Sequence, residues 1–369
     1  MKNELALLGG NPVIEKELTA FNRIGKEESD QITKVLDSGE LSGFVGAWCD
    51  GFNGGRAVQE FEKIFSEVIG CEYAISVNSN TTGIIASLGA IGLSPGDEVI
   101  IPPYTMSATA VAPLFYGGIP VFADIEQDYF CLDVEAVKQQ INEKTKAIIA
   151  VNLFGHPAEL IKLKKLAEEN NIYLIEDNAQ APLAKENGLF AGTIGHIGVF
   201  SFNRHKHIQT GEGGMCVTSN EELATKLKII RNHGENIIDD LSINNITNLI
   251  GYNFRMTELN AAIGIAQMKK SKDIISERVN IAKKISDGLS DLDGIVPAKV
   301  RDGCEHVYYL LAFRYDENIV GVSREIFAKA LTAEGFVNSQ GYIKPLYYLP
   351  VFRKRIAIGN SGYPFTLSN

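Results

Sequence analysis

The sequence predicts an α/β protein: a large, mainly parallel seven-stranded sheet domain followed by a smaller α+β domain. Three observations carry this. Short apolar runs recur seven times between residues 73 and 218, and the segments separating them carry apolar residues at helical spacing among Lys, Glu and Gln. After about Asn245 the texture changes to one long helical stretch with few strands. The seven runs are 73–77, 98–101, 120–123, 147–151, 172–175, 198–201 and 214–218, each short and flanked by turn-forming residues, as strands buried on both faces are. Segments 84–91, 132–143 and 159–170 read as covering helices. Beyond them, 256–289 reads as a long helix, 307–313 as a strand and 323–335 as a helix, so the domains are placed at 1–245 and 246–369. Segment 39–55, rich in Gly and aromatic residues without periodicity, is a loop that serves either as a connector or as a flap over substrate.

Composition narrows the function. A chain of 369 residues, 45% hydrophobic and 22% charged, builds an ordinary packed core. Its net charge of −10 argues against a broad nucleic-acid surface, so any anion must be held by a local group of donors. No apolar stretch reaches membrane-spanning length and the N-terminus lacks a leader-like segment, so a cytoplasmic protein without membrane partners is expected. Five cysteines, Cys49, Cys71, Cys131, Cys216 and Cys304, are widely spaced and never form Cys-x-x-Cys; neither a disulfide framework nor a metal site is expected.

The chemistry concentrates at two strand ends. Lys206 lies just after the run 198–201 and before the turn Thr210-Gly-Glu-Gly-Gly214, with no acidic neighbour in sequence until Glu212. A lysine desolvated there, or set in the cationic field of Arg204, His205 and His207, becomes a nucleophile and a proton shuttle. Asp177 ends the run Ile172-Tyr-Leu-Ile-Glu-Asp, at the strand edge where open α/β sheets bind ligands; a helix cap explains the same carboxylate. Segment 77–83, Val-Asn-Ser-Asn-Thr-Thr-Gly, joins a strand to a helix, so its hydroxyls and first amides suit a phosphate or merely cap the helix. An amine that forms an imine and a carboxylate that keeps a pyridine nitrogen protonated are the groups pyridoxal 5′-phosphate chemistry needs.

Three segments together, Ser201-Phe-x-x-x-Lys206-x-x-x-x-Gly-Glu-Gly-Gly214, Ile175-Glu-Asp177-x-Ala-Gln180 and Gly251-Tyr-Asn253-Phe-Arg255-Met-Thr-Glu258, resemble the DegT/DnrJ/EryC1/StrS sugar aminotransferases, which are fold-type-I pyridoxal-phosphate enzymes. The resemblance runs from Leu5 to about Pro350. It implies that Lys206 forms the imine with the cofactor, Asp177 pairs with its ring nitrogen and Gln180 lies near its phenolic oxygen. Thr81, Thr82 and Ser201 then hold its phosphate, and Asn253 reaches the phosphate of a neighbouring subunit, so the enzyme is expected to be a homodimer with shared active sites. Met106 stands where the family usually stacks an aromatic residue on the ring, and members usually continue through a further helical segment beyond residue 369.

The implied reaction is a ping-pong transfer from an amino acid, usually glutamate, to a keto sugar, most commonly a nucleotide-linked keto-deoxy sugar for surface polysaccharide such as lipopolysaccharide. A keto-cyclitol or an oxidised octulosonic acid are alternative acceptors. A related branch performs 3-dehydration with histidine at the position of Lys206, and a regulatory protein that keeps the cofactor without the reaction is the non-enzymatic alternative. Arg231, Arg255 and His205 are candidates for a substrate carboxylate or phosphate, with surface salt bridges explaining the arginines equally well.

Overall fold

The computed structural model describes residues 4–18 and 23–368; Met1 to Asn3 and Asn369 of the termini lie outside the described residues. Seven strands form one sheet: β1 (Tyr73–Val77), β2 (Glu98–Ile101), β3 (Ile119–Phe122), β4 (Thr145–Val151), β5 (Tyr173–Asp177), β6 (Ile197–Ser201) and β7 (Gly214–Thr218), in the order β1-β7-β6-β5-β4-β2-β3. Neighbours from β3 through β6 pair in parallel, while β7 runs antiparallel to both β6 and β1. The departure from parallel pairing has a local cause. The connection from β6 to β7 holds no crossover helix, and its backbone closes on itself through Phe202 N–H to Gly213 C=O (2.9 Å) and Arg204 N–H to Gly211 C=O (3.0 Å). Lys206 rides on this loop.

Both faces of the sheet are covered. On one, Phe200 of β6 and Leu174 of β5 join Phe61 and Phe65 of α2 (Arg56–Ile69) and Ile265 of a long helix, α7 (Glu258–Leu289). On the other, Ile75, Ile175 and Val199 pack on Ile84 and Leu88 of α3 (Asn80–Ala90) and Leu227 of α6 (Glu221–Arg231). Alternation of Val199 and Phe200 between the two cores is the period-two geometry of a strand buried on both sides. Two shorter helices, α4 (Val134–Gln140, capped by Asp133) and α5 (Leu160–Glu169), and the leading α1 (Lys26–Ser38) complete the cover. In the C-terminal region lie the two-stranded pair β8 (Ile295–Pro297) and β9 (Phe313–Tyr315) and helix α8 (Arg324–Ala333), capped by Ser323.

Two local readings need correction. The expected strand at 307–313 forms only from Phe313 onward. Val307 N–H goes to Gly155 C=O (3.0 Å), and Tyr308 adopts φ 51°, so this stretch docks on a loop of the large sheet instead of pairing as a strand. The helix expected from 84 begins at Asn80, capped by the Ser79 hydroxyl, which accepts from Thr82 N–H at 3.1 Å, and this puts Thr81 and Thr82 in its first turn.

Helix α3 lies close against the sheet edge. Gly214 sits between Ser201 of β6 and Val77 of β1, and a Cβ there would lie 2.6 Å from the Ser79 carbonyl carbon and 2.8 Å from the Asn80 nitrogen. Both neighbours are backbone and cannot swing aside. Gly214→Ala is therefore expected to cost about 1–3 kcal/mol, read as a lowered thermal midpoint; an unchanged midpoint would mean that α3 can retreat from the sheet.

Candidate active site

At the C-terminal edge of the parallel strands, the Asp177 carboxylate is 4% exposed and takes three donors: Ala179 N–H (3.1 Å), Asn80 Nδ2 (3.2 Å) and Thr109 Oγ1 (3.3 Å). No helix follows Asp177, so the capping alternative falls away. Burial pushes its pKa up, while the Ala179 amide, the Lys206 charge and the two side-chain donors pull it back. Burial also drives the Lys206 amine down to about 8, against the Asp177 carboxylate, which raises it. Of the two causes the sequence offered, desolvation and a cationic field, desolvation is the one that lowers it. His207 carries no charge to contribute, since burial holds its pKa at about 3 and its Nε2 is 2.8 Å from the Val307 carbonyl oxygen. The Lys206 Nζ stands 4.4 Å from the Tyr309 ring centroid, a cation–π contact that holds the amine at the mouth of the loop.

Gln180 is fixed at both ends of its amide. Its Oε1 accepts from Phe154 N–H (2.7 Å) and its Nε2 donates to the Tyr342 hydroxyl (2.9 Å), while the Tyr104 hydroxyl accepts from Tyr342 N–H (2.9 Å). Burial raises the Tyr342 pKa to about 12, so this phenol stays protonated and is available as a donor. Sequence reasoning missed Asn80, Thr109, Tyr104, Tyr309 and Tyr342. Asn80 and Thr109 adjoin residues already singled out, and a carboxylate buried at a strand end needed donors; the three tyrosines carried no signal.

Around the N-terminus of α3, Ser201 Oγ accepts from Asn203 N–H (3.3 Å) and Thr82 Oγ1 lies 2.6 Å from Asn78 Oδ1. Asn253 is exposed and its Oδ1 accepts from Arg255 Nε (2.8 Å), whose guanidinium also reaches Asn232 Oδ1 (3.3 Å). Met106 is 56% exposed, one turn before Thr109. His205 is exposed beside Lys206 and its Nε2 accepts from Arg204 Nε (3.2 Å). Glu258 accepts from Gly55 (3.0 Å) and Ala57 (2.6 Å) N–H and so caps α2 from a distant helix.

Arg231 is a correction. It is fully buried, its NH1 donates to Glu62 Oε1 (2.6 Å), and its guanidinium lies 4.8 Å from the Phe44 ring. A group so enclosed holds the 39–55 loop in place and does not touch substrate. Arg231→Met removes the counter-charge of Glu62, which keeps only the Ser76 amide (2.8 Å) and hydroxyl (2.7 Å), and is expected to cost about 3–5 kcal/mol, seen in denaturant melts, with KM unchanged in whatever enzyme remains folded; a raised KM at unchanged stability would restore a substrate role.

The model of the DegT/DnrJ/EryC1/StrS aminotransferase family matches residues 22–366. The chain belongs to this family. A GDP-perosamine synthase of Escherichia coli O157:H7 is 32% identical over 346 residues, covering 93% of this chain and 87% of its own. A putative L-glutamine:3-amino-2,3-dideoxy-scyllo-inosose aminotransferase of Streptomyces kanamyceticus is 30% identical over 361 residues, 96% and 83% of the two chains. Among solved structures, DesI in the presence of its TDP-sugar product superposes with a TM-score of 0.83, at 28% identity over 99% of this chain and 89% of that one. Members of the DegT/DnrJ/EryC1/StrS family are pyridoxal 5′-phosphate-dependent sugar aminotransferases, and the fold here is theirs.

The residues present fit that cofactor. The Asn80 Oδ1 is buried without a partner while its Nδ2 holds Asp177, and the first N–H groups of α3 lack intrahelical acceptors beside the Cβ-free surface of Gly214. Bound there, the cofactor supplies an electron sink for the carbon that loses its proton. Among the described residues no helix is long and apolar enough to cross a membrane.

Proposed function

We propose that this sugar aminotransferase moves an amino group from glutamate to a nucleotide-linked keto-deoxy sugar used in surface polysaccharide. The observation that carries the reading is the pair formed by Lys206, with its pKa near 8, and the buried Asp177 at one strand edge. Lys206 would hold the cofactor and, as a free amine, would hold and move the substrate proton; an amine near 8 exchanges protons readily at neutral pH. Asp177 would keep the ring nitrogen protonated, Gln180 and the Tyr342 hydroxyl would face the phenolic side, and Thr81, Thr82 and Ser201 would hold the phosphate with the α3 amides. Met106 would cover the ring through a sulfur–aromatic contact. Arg255 and His205 are taken as substrate contacts.

The assembly is read as a homodimer in which Asn253 reaches the phosphate site of the other subunit. Its exposure, together with exposed Ile250 and Phe115, supports this; a sedimenting mass of 40.3 kDa, one chain, would remove it. Residues 1–245 are taken as the cofactor-binding domain and 246–369 as the smaller one, in a cytoplasmic enzyme. A keto-cyclitol acceptor is the second reading, supported by the likeness to the S. kanamyceticus protein. Lysine at position 206 speaks against the dehydratase and the regulatory readings.

The test is an absorbance titration of the cofactor-loaded protein. Glutamate is expected to replace a band near ~420 nm with one near ~330 nm, the covalent half-reaction of a ping-pong transferase. Return of the first band on adding a nucleotide keto sugar, and not a keto-cyclitol, supports the acceptor. No response to glutamate or glutamine sinks the reading.

A further inference from the structure

Segment 39–55 is fastened as a fixed part of the fold. Leu41 C=O accepts from Glu258 N–H (3.2 Å), and the Phe44 ring lies 4.8 Å from the buried Arg231 guanidinium. Asn232 Nδ2 donates to two carbonyls of the loop, Val45 (2.9 Å) and Phe52 (3.1 Å). Val45 N–H to Gly51 C=O (2.9 Å) closes the tip, and a Cβ at Gly43 would strike the Gly55 backbone. Between these ties residues 46–50 stand exposed, and Trp48, the one tryptophan of the chain, keeps 49% of its surface open. Its aromatic neighbour is the buried Phe52, met at 5.7 Å between centroids and 60° between planes, an edgewise contact and not a stack. An indole displayed on a fixed loop loses little conformational freedom when it meets a second ring.

The same ties run on to the candidate active site. Asn232 Oδ1 accepts from Arg255 NH1 (3.3 Å) and Asn253 Oδ1 from Arg255 Nε (2.8 Å). Asn253 C=O accepts from Asn78 Nδ2 (3.4 Å), Phe254 C=O from Asn78 N–H (2.8 Å), and Asn78 Oδ1 lies 2.6 Å from Thr82 Oγ1 in the first turn of α3. The tryptophan loop, Arg255 and the α3 N-terminus are therefore one hydrogen-bonded unit. Both Arg255 bonds go to neutral amide oxygens, which orient the guanidinium without cancelling its charge. A simple anion has no use for the indole, and an apolar ligand none for the guanidinium. A nucleoside diphosphate carries a flat ring at one end and anionic oxygens at the other, so it uses both.

We propose that Trp48 stacks on the nucleobase of the nucleotide-linked acceptor, with Arg255 facing its diphosphate. The proposal rests on the nucleotide-sugar reading above and names the residue that meets the base. Stacking accepts any base, since every base has a π face, and it strengthens with ring area; a purine diphosphate is therefore expected to bind more tightly than a pyrimidine one.

With one tryptophan in the chain, intrinsic fluorescence reports the contact directly. Guanosine and thymidine diphosphates, titrated into the cofactor-loaded enzyme, are expected to quench Trp48 emission to saturation, whereas inorganic pyrophosphate and ribose 5-phosphate leave it unchanged. Trp48→Ala, read by calorimetry, is expected to weaken diphosphate binding about tenfold or more, the effect of losing one base–aromatic stack. KM for the nucleotide keto sugar is expected to rise by the same factor, and Trp48→Tyr, which keeps a ring against Phe52, to restore most of both. No quenching by either diphosphate, or an affinity unchanged in Trp48→Ala, overturns the proposal. Emission that responds to protein dilution and not to nucleotide also overturns it, and assigns the indole to a contact between copies of this chain. Amino transfer is measured in parallel as 2-oxoglutarate released from glutamate. Release without a nucleotide response sinks only the Trp48 seat, whereas a nucleotide response without release supports the seat and sinks the aminotransferase reading.

Discussion

Lys206→Ala is expected to abolish amino transfer, by about 10⁴-fold or more, the upper range for one positioned proton-transfer group, while the protein melts no earlier than the wild type. The two halves of this expectation have separate causes. Transfer fails because no neighbouring amine replaces the lost one: Arg204 offers a guanidinium in place of an amine, and His207 is neutral with its Nε2 at the Val307 carbonyl. Stability holds because the loop is fixed by backbone bonds, including Lys206 N–H to Asn203 C=O (2.9 Å), which alanine keeps. The amine itself opposes folding. Its folded pKa, about 8, lies below its ordinary 10.5, so the unfolded chain binds the proton more tightly. That penalty is fully present below about pH 8 and fades as pH rises toward 10.5; alanine removes it, against a lost cation–π contact with Tyr309. Lys206→Arg separates charge from chemistry and is expected to be as inactive as alanine. Residual transfer within tenfold of wild type in either variant would remove Lys206 from the reaction.

The parts of the fold and site that were legible are those where one residue type has one physical use. Seven β-rich apolar runs flanked by turns have few alternatives to buried strands, and each appears in the sheet. Strand direction was less legible, because alternation carries no direction. The connection from Ser201 to Gly214 nevertheless held the signal: it is glycine-rich and lacks helical periodicity, so it could not supply a parallel crossover. Val307 to Phe313 failed for the opposite reason. Its apolar run satisfies a strand pattern, but its backbone bonds go to Gly155, and its tyrosine meets Lys206 only through tertiary packing. Arg231 read as a substrate contact or a surface salt bridge; only the distant Glu62 and Phe44 reveal that it is enclosed. Sequence marks the groups able to do chemistry, whereas the donors that tune them come from chain segments far apart: Thr109 lies 68 residues from the Asp177 it serves.

Those donors make Asp177→Asn the most informative conservative change, since it removes a charge and almost no volume. Transfer is expected to fall at least about 100-fold, the lower range for a group that holds a catalytic proton, because an amide cannot offset the positive charge on a ring nitrogen. A second readout needs no cofactor. The Asp177 charge raises the Lys206 pKa, so in the cofactor-free variant the amine is expected to titrate below the wild-type value of about 8. Reductive methylation of Lys206 followed by mass across pH measures that midpoint. Stability is expected to change little. An asparagine oxygen can keep the Ala179 N–H, while its new NH₂ can donate to the unpartnered Asn80 Oδ1 once that amide turns, or to the Thr109 hydroxyl. A cost near the low end of the ~1–3 kcal/mol for an unmade buried hydrogen bond follows. If the midpoint stays at its wild-type value, the two groups are not coupled through space. If transfer also stays within threefold, Asp177 is a structural carboxylate and the ring nitrogen finds its partner elsewhere.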